Sequence, residues 1–159
     1  MSPKEESRLL EEIAVATVNM SERNVGALIV LERETRLDDF LEGGTLLDAR
    51  VGREILQSIF FPLSPMHDGA AVLREGRIHA AGCFLPLTKR TDIHKSFGTR
   101  HRAALGITER ADAVVIVVSE EDGSISVALD GILQHGLTPK ALREALTDLF
   151  SPYVPREKR

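Results

Sequence analysis

The chain has 159 residues, 43% hydrophobic and 28% charged, enough for one globular domain with a sizeable core and too little for two full ones. Twenty Lys and Arg against 24 Asp and Glu give a formal charge of -4, and aromatics make up 4% with no tryptophan; a coat for duplex nucleic acid and a row of stacking platforms for single strands are both disfavoured. The single cysteine, Cys83, excludes an intrachain disulfide and multi-cysteine zinc sites, and fits a reducing compartment.

Residues 5–20 carry Leu9, Leu10, Ile13, Ala14, Thr17 and Met20 at helical spacing, which predicts an amphipathic helix packed on a core. VGALIVLE at 25–32 is apolar at nearly every position, the pattern of a central strand covered on both faces. Val51, Ile55, Leu56 and Ile59 return to the helical period and predict a helix over 47–60, ended by Pro62 and Pro65. GAAVLRE at 69–75 and RIHAAGCFLPL at 77–87 read as two strands joined by a tight turn at Gly76. A polar loop at 88–98 leads to a helix at 99–110 with Thr99 as its N-cap. Strands at 112–119, 124–131 and 132–136 follow, and a helix opening on Pro139 closes at 150.

This order predicts a single α/β domain with a mixed sheet, an N-terminal helix in residues 1–24, the main domain in 25–150 and a mobile polar tail at 151–159. The longest apolar runs, 25–31 and 113–118, fall short of the ~18–20 residues of a membrane-spanning helix. MSPKEESRLLEE carries no secretory signal, so the domain reads as soluble and cytoplasmic.

No P-loop, dinucleotide-binding, HExxH or GxSxG pattern is present. In GTRHRAALG at 98–106, Arg100, His101 and Arg102 crowd the first helical turn after Thr99, where the helix dipole is already positive. Such crowding is self-repulsive unless an external anion joins it, and Gly98 lets that anion approach the backbone. In HDGAAV at 67–72 the Asp-Gly pair reads as a hairpin turn when taken alone, but the two prolines before it do not suit a paired strand. Asp68 then stands at a strand entrance, with His67 beside it and Gly69 clearing space, suited to a divalent metal or to polarising a hydroxyl.

In SEEDG at 119–123, Glu121, Asp122 and Gly123 read as a turn, whereas Ser119 and Glu120 occupy a strand's carboxyl end, where ligands collect in α/β sheets. Phe84 reads as core, or as a ring able to stack on a base. His79, His94 and His135 fit no ligand spacing and read as structural or surface residues.

MHDGAAVL, AAGCFLPL, GTRHRAALGITE and VVIVVSEEDGSISVALDG, in this order and spacing, resemble the diadenylate cyclase (DAC) domain with its DGA and RHR motifs. The likeness runs from about Val25 through Phe150, and GALIVLER and ALREAL resemble its membrane-linked bacterial branch. The resemblance implies a twisted mixed sheet flanked by helices, on which two ATP are condensed into cyclic di-AMP with release of two pyrophosphates at a face-to-face homodimer. Carried onto this chain, it implies that Asp68 assists attack by the ribose 3′-hydroxyl while Gly69 and Ala70 shape the backbone around the nucleotide. Gly98, Thr99, Arg100, His101, Arg102 and Ser119 would hold the phosphates. Phe84 and Leu85 would flank the adenine; relatives often have Tyr at the position of Phe84.

The resemblance also implies a divalent metal, Mg or Mn, on Asp68, with His67, Glu120 and Glu121 as further ligand candidates. It implies contact with the cell membrane only through helices that precede the domain and lie outside these residues, and the overall acidity gives no expectation of a nucleic-acid partner. A non-catalytic module binding ATP or cyclic di-AMP is the alternative reading of the same residues. A nucleic-acid-associated domain is a third, disfavoured by the overall acidity.

Overall fold

In the structure, a computed structural model that describes residues 1–150, the all-apolar run after Val25 becomes the middle strand of a seven-stranded sheet. The elements are α1 (Pro3–Glu22), β1 (Ala27–Glu32), β2 (Thr45–Arg50), α2 (Arg53–Phe60), β3 (Ala70–Arg74), β4 (Arg77–Cys83), α3 (Thr99–Arg110), β5 (Ala113–Val118), β6 (Ile125–Leu129), β7 (Ile132–His135) and α4 (Pro139–Phe150). A short 3-10 turn, Asp38–Phe40, lies between β1 and β2. The strand order is β2-β4-β3-β1-β5-β6-β7. β1 pairs in parallel with β3 and the remaining pairs are antiparallel, so the sheet is mixed as expected.

Alternation along β1 explains its unbroken hydrophobicity. Ile29 and Leu31 face a core built with Ile13 and Met20 of α1, Leu56 and Ile59 of α2, and Leu142 and Leu146 of α4. Leu28 and Val30 face the opposite core, with Ala103, Ala104 and Ile107 of α3. The small residues of α3 let it lie close to the chain leaving β4: a side chain at Gly106 would overlap the Pro86 carbonyl. Between β1 and β2 the chain is pinned by the Glu32 carboxylate, which accepts from the Leu37 N–H at 2.9 Å and from the Arg74 guanidinium at 2.6 Å.

Two expectations about elements need correction. The helix expected over 47–60 begins only at Arg53; Thr45–Arg50 is an edge strand paired antiparallel with β4 and interrupted by an irregularity between Leu46 and Ala49. TLLDAR fits either period, and the free edge of β4 decides between them. The strand expected over 77–87 ends at Cys83. Beyond it Phe84 makes an isolated bridge with Glu42, donating to its carbonyl at 2.8 Å and accepting from its N–H at 3.0 Å, and Pro86 has no N–H to continue a ladder. The N-terminal helix packs on a core as expected, with Ile13, Ala16 and Met20 of α1 in the main core. The tail expected at 151–159 lies outside the described residues.

Candidate functional site

The starts of β1 and β3, the ends of β4 and β5 and the N-terminus of α3 converge on an open cavity of about 520 Å³, within the size range of small-molecule sites. Its α3 end is rich in donors. Gly98, extended at φ -91 and ψ -160, is the N-cap and makes no side-chain bond. Thr99 is therefore the first helical residue and not the expected cap. The first bond into this helix runs from the Arg102 N–H to the Gly98 carbonyl at 3.1 Å, so the amides of Thr99, Arg100 and His101 have no helical acceptor. No acidic residue stands in that turn.

The His101 ring is 4% exposed and stacks on Phe97 at 4.6 Å and 14°. Its Nε2 is buried without a hydrogen-bond partner. Burial first, then the neighbouring His135, push its pKa below the ordinary value; Asp122 pulls the other way, and Arg100 adds a smaller push down. The ring is therefore neutral near pH 7. The Arg100 Nε is likewise buried and unpartnered, and its Nη1 lies 3.7 Å from the Glu120 carboxylate. The unpartnered Arg100 Nε–H, with the unpartnered His101 Nε2 beside it at a helix N-terminus, suits an anion that would supply the missing acceptor.

The opposite end carries a carboxylate. The segment before β3 turns twice, through Ser64 N–H to Phe61 C=O at 2.8 Å and His67 N–H to Ser64 C=O at 3.2 Å, and delivers an exposed Asp68 to the rim. Gly69 follows at φ +94, and a Cβ there would lie 2.7 Å from the Cys83 carbonyl oxygen. Only glycine fits that turn. His67 Nδ1 lies 2.7 Å from the Ser64 carbonyl oxygen; a carbonyl only accepts, so Nδ1 donates, and in the neutral ring the lone pair is then on Nε2.

At the end of β5, the turn expected at 121–123 forms. Ser119 N–H donates to Ser124 C=O at 3.0 Å, and Ser124 N–H donates to the Asp122 carboxylate at 2.9 Å, which with the Ser124 and Ser119 side chains holds the Asp122 carboxyl below its ordinary pKa. Asn24, just beyond α1, donates to Glu121 C=O at 3.3 Å and ties this turn to the helix end. Glu120 and Glu121 stand exposed on the cavity edge. The remaining wall is apolar: Leu85 is 8% exposed, and Phe84, 52% exposed, presents its ring instead of burying it.

Thus His67, Asp68, Gly69, Phe84, Leu85, Gly98, Thr99, Arg100, His101, Ser119, Glu120 and Glu121 line one cavity, whereas Ala70 and Arg102 do not. Ala70 is fully buried in the ladder opposite Cys83. Arg102 stands two residues past Arg100, about 200° around the helix, so both cannot face the same space. Sequence reasoning missed Leu28, Ala103 and Val118, which line the cavity but carry only a core pattern, and Cys83, whose buried thiol has a raised pKa. Ser96 and Leu87 were missed too, since nothing in their own segments marks them. Of the three histidines set aside, His135 packs 6.3 Å from His101, and the Nδ1 of His94 lies 2.6 Å from the Ser96 hydroxyl.

Among the described residues no group of three or more His, Cys, Asp or Glu is placed to hold a metal by itself. The donors at the rim, the Asp68 carboxylate and the His67 Nε2 lone pair, fit a divalent cation that takes its remaining oxygens from a ligand.

Comparison with known proteins supplies the family. The family described as DisA bacterial checkpoint controller nucleotide-binding (DAC) matches residues 14–133. The chain is 46% identical over 151 residues to the cyclic di-AMP synthase CdaA of Bacillus subtilis, covering 94% of this chain and 55% of that one. It is similar to a crystal structure of a double mutant of DacA from Staphylococcus aureus (TM-score 0.87, 43% identity, 91% of this chain and 96% of that one). It is also similar to a structure described as a hypothetical membrane spanning protein from Bacillus cereus (TM-score 0.78, 44% identity, 80% and 63%). The chain spans about half the length of the curated relatives it matches.

Proposed function

The chain belongs to the DAC family, and from that premise we propose that it is the catalytic domain of a diadenylate cyclase, condensing two ATP into cyclic di-AMP with release of two pyrophosphates. The observation that carries the reading is the polarity of the cavity: unpartnered nitrogens of Arg100 and His101 beside a helix N-terminus at one end and the exposed carboxylate of Asp68 at the other. A triphosphate bound to the first would bring a ribose hydroxyl toward the second.

In this mechanism each cavity holds one ATP. Phe84 stacks on the adenine and Leu85 closes its other flank; a phenylalanine ring supplies the stacking surface without a phenolic hydroxyl. Thr99, Arg100, His101 and Ser119 hold the phosphates with N–H, guanidinium, imidazole and hydroxyl donors, concentrating positive charge where pyrophosphate leaves. Asp68 orients the ribose 3′-hydroxyl and accepts its proton. The 3′-oxygen forms a bond to the α-phosphorus of the second ATP as that phosphorus loses its bond to pyrophosphate, and the step occurs twice to close the ring.

Because the product joins two nucleotides, the hydroxyl of the ATP in one cavity must reach the α-phosphorus of a second ATP, so two copies must meet face to face, each supplying the other's electrophile. Asp68 and His67 Nε2, with Glu120 or Glu121 at the rim, would hold a divalent metal, Mg or Mn, whose charge offsets that of the phosphates. None of the described helices is long and apolar enough to cross a membrane; a membrane attachment through a segment outside these residues is supported by the similarity to the B. cereus membrane spanning protein.

Incubation of the protein with ATP and Mg²⁺ or Mn²⁺, followed by mass-resolved chromatography, tests the reading. Cyclic di-AMP is the expected product, with a specific activity that rises with protein concentration across the dissociation range of the dimer. ATP bound but unchanged at concentrations that pair the protein would replace the cyclase with a nucleotide-binding module.

A further inference from the structure

Gly26, the residue before β1, is buried, yet its backbone does not adopt the left-handed conformation that calls for glycine at Gly69. What fills the space beside it is the guanidinium of Arg100. A Cβ on Gly26 would lie 2.5 Å from both the Cζ and Nη1 of Arg100 and 3.0 Å from its Nη2. Gly69 meets backbone, whereas the three atoms nearest to Gly26 all belong to this one movable side-chain head. Apart from that seat, the head of Arg100 is held only loosely: Nε has no partner, and the Glu120 carboxylate stands 3.7 Å from Nη1.

We infer that Gly26 is a positioning residue for Arg100: its bare Cα is the seat on which the guanidinium lies, setting the depth at which Arg100 meets a phosphate. The site needs the planar fork close to the first turn of α3, where the free amides of Thr99, Arg100 and His101 converge. β1 and β5 are antiparallel with Ala27 opposite Val118, so the seat lies beside Ser119 at the same end of the sheet. A methyl group on Gly26 has one inexpensive relief, rotation of the long Arg100 side chain away from the seat. The substitution is therefore expected to spare the fold and displace the cation. The role rests on the reading of the cavity as a nucleoside triphosphate site, and it adds a residue that touches no ligand.

Binding of 3′-deoxy-ATP with Mg²⁺, which carries the triphosphate but lacks the attacking hydroxyl, is measured by calorimetry for wild type, Gly26→Ala, Arg100→Ala and the double variant. Gly26→Ala is expected to weaken binding about 10- to 100-fold, the worth of a charged hydrogen bond. The double variant should bind no more weakly than Arg100→Ala alone, because without the guanidinium the methyl group displaces nothing. Unchanged binding by Gly26→Ala, or losses that simply add in the double variant, would overturn the inference while leaving the triphosphate site standing. A wild type that fails to bind 3′-deoxy-ATP would overturn the site and this role with it. If Gly26→Ala does not fold, a double variant that melts at the temperature of Arg100→Ala sustains the inference, and one that also fails to fold refutes it.

Discussion

At the α3 end of the cavity His101 is 4% exposed, stacked on Phe97 and paired with no acceptor, whereas at the β3 end Asp68 is exposed and stands on a turn that only glycine completes. One end is preorganised and desolvated; the other is wet and open. Fixed donors aimed at charge gain strength from burial because they need no reorganisation when an anion arrives. A general base gains nothing from burial without its substrate, and a carboxylate buried alone would protonate. Under the proposed function such a division suits a site whose electrophile comes from a second molecule: one half would bind in advance, and the other would be completed if two cavities met.

The sharpest way to separate the ends is to remove the charge from one and leave the other intact. Asp68→Asn keeps the size and the turn, so 3′-deoxy-ATP binding is expected to stay within a few-fold of wild type while cyclic di-AMP formation falls about a hundred- to ten-thousand-fold, the usual worth of a general base. Product at the wild-type rate from this variant would remove Asp68 from the chemistry. Next comes the turn itself. Gly69→Ala forces a Cβ to 2.7 Å from the Cys83 carbonyl at φ +94, and a loss of about 1–3 kcal/mol of stability is expected, with a matching fall in activity. Equal denaturant midpoints for the variant and wild type would show that the loop relaxes and that the turn is not the constraint.

These ends were unequally visible in the sequence. Arg100 and His101 announce themselves because basic residues in a first helical turn contradict the helix dipole, and Asp68 because the two prolines before it do not suit a paired strand. Leu28 and Val118 do not, since one face of a strand buried on both sides looks like the other, and only the end of the strand decides which residue meets the cavity. Arg102 was drawn into the site by its neighbours, although two residues of helix turn it away. Gly26 disappeared into an apolar strand, because a missing side chain shows its purpose only when another side chain is seen lying in the space. β2 was misread for a related reason: the partner that makes Thr45–Arg50 a strand, β4, is remote in sequence.

A smaller effect tests whether the α3 end is desolvated in solution. His101 sits in the folded chain with a pKa lowered mainly by burial, so the unfolded chain takes up its proton more readily. The contribution to stability is complete above the ordinary histidine pKa of about 6.5 and is lost as pH falls from there through the folded-state value. Thermal midpoints measured from pH 8 to pH 5 should decline across that window, and His101→Gln should flatten this part of the profile. An unchanged slope in the variant would assign the decline to other groups and return the ring to solvent.

The smallest expected effect is a control remote from both ends. Arg53 makes a two-pronged contact with Glu12, at 3.1 and 2.5 Å, joining α2 to α1 and holding the Glu12 carboxyl down to about 2. A lowered carboxylate pKa stabilises the fold above the ordinary value of 4.5, and the benefit disappears as pH falls from 4.5 through about 2. Because the Arg53 side chain is 39% exposed, solvent screens the pair, and Glu12→Gln is expected to cost no more than about 1 kcal/mol at pH 7. Cyclic di-AMP formation should be unaffected, since neither residue lines the cavity. The profiles of the two variants would then diverge in different windows, Glu12→Gln below pH 4.5 and His101→Gln below about 6.5. Divergence of Glu12→Gln in the higher window would mean that the pair reaches the α3 end through the core, and the two regions could no longer be treated as separate.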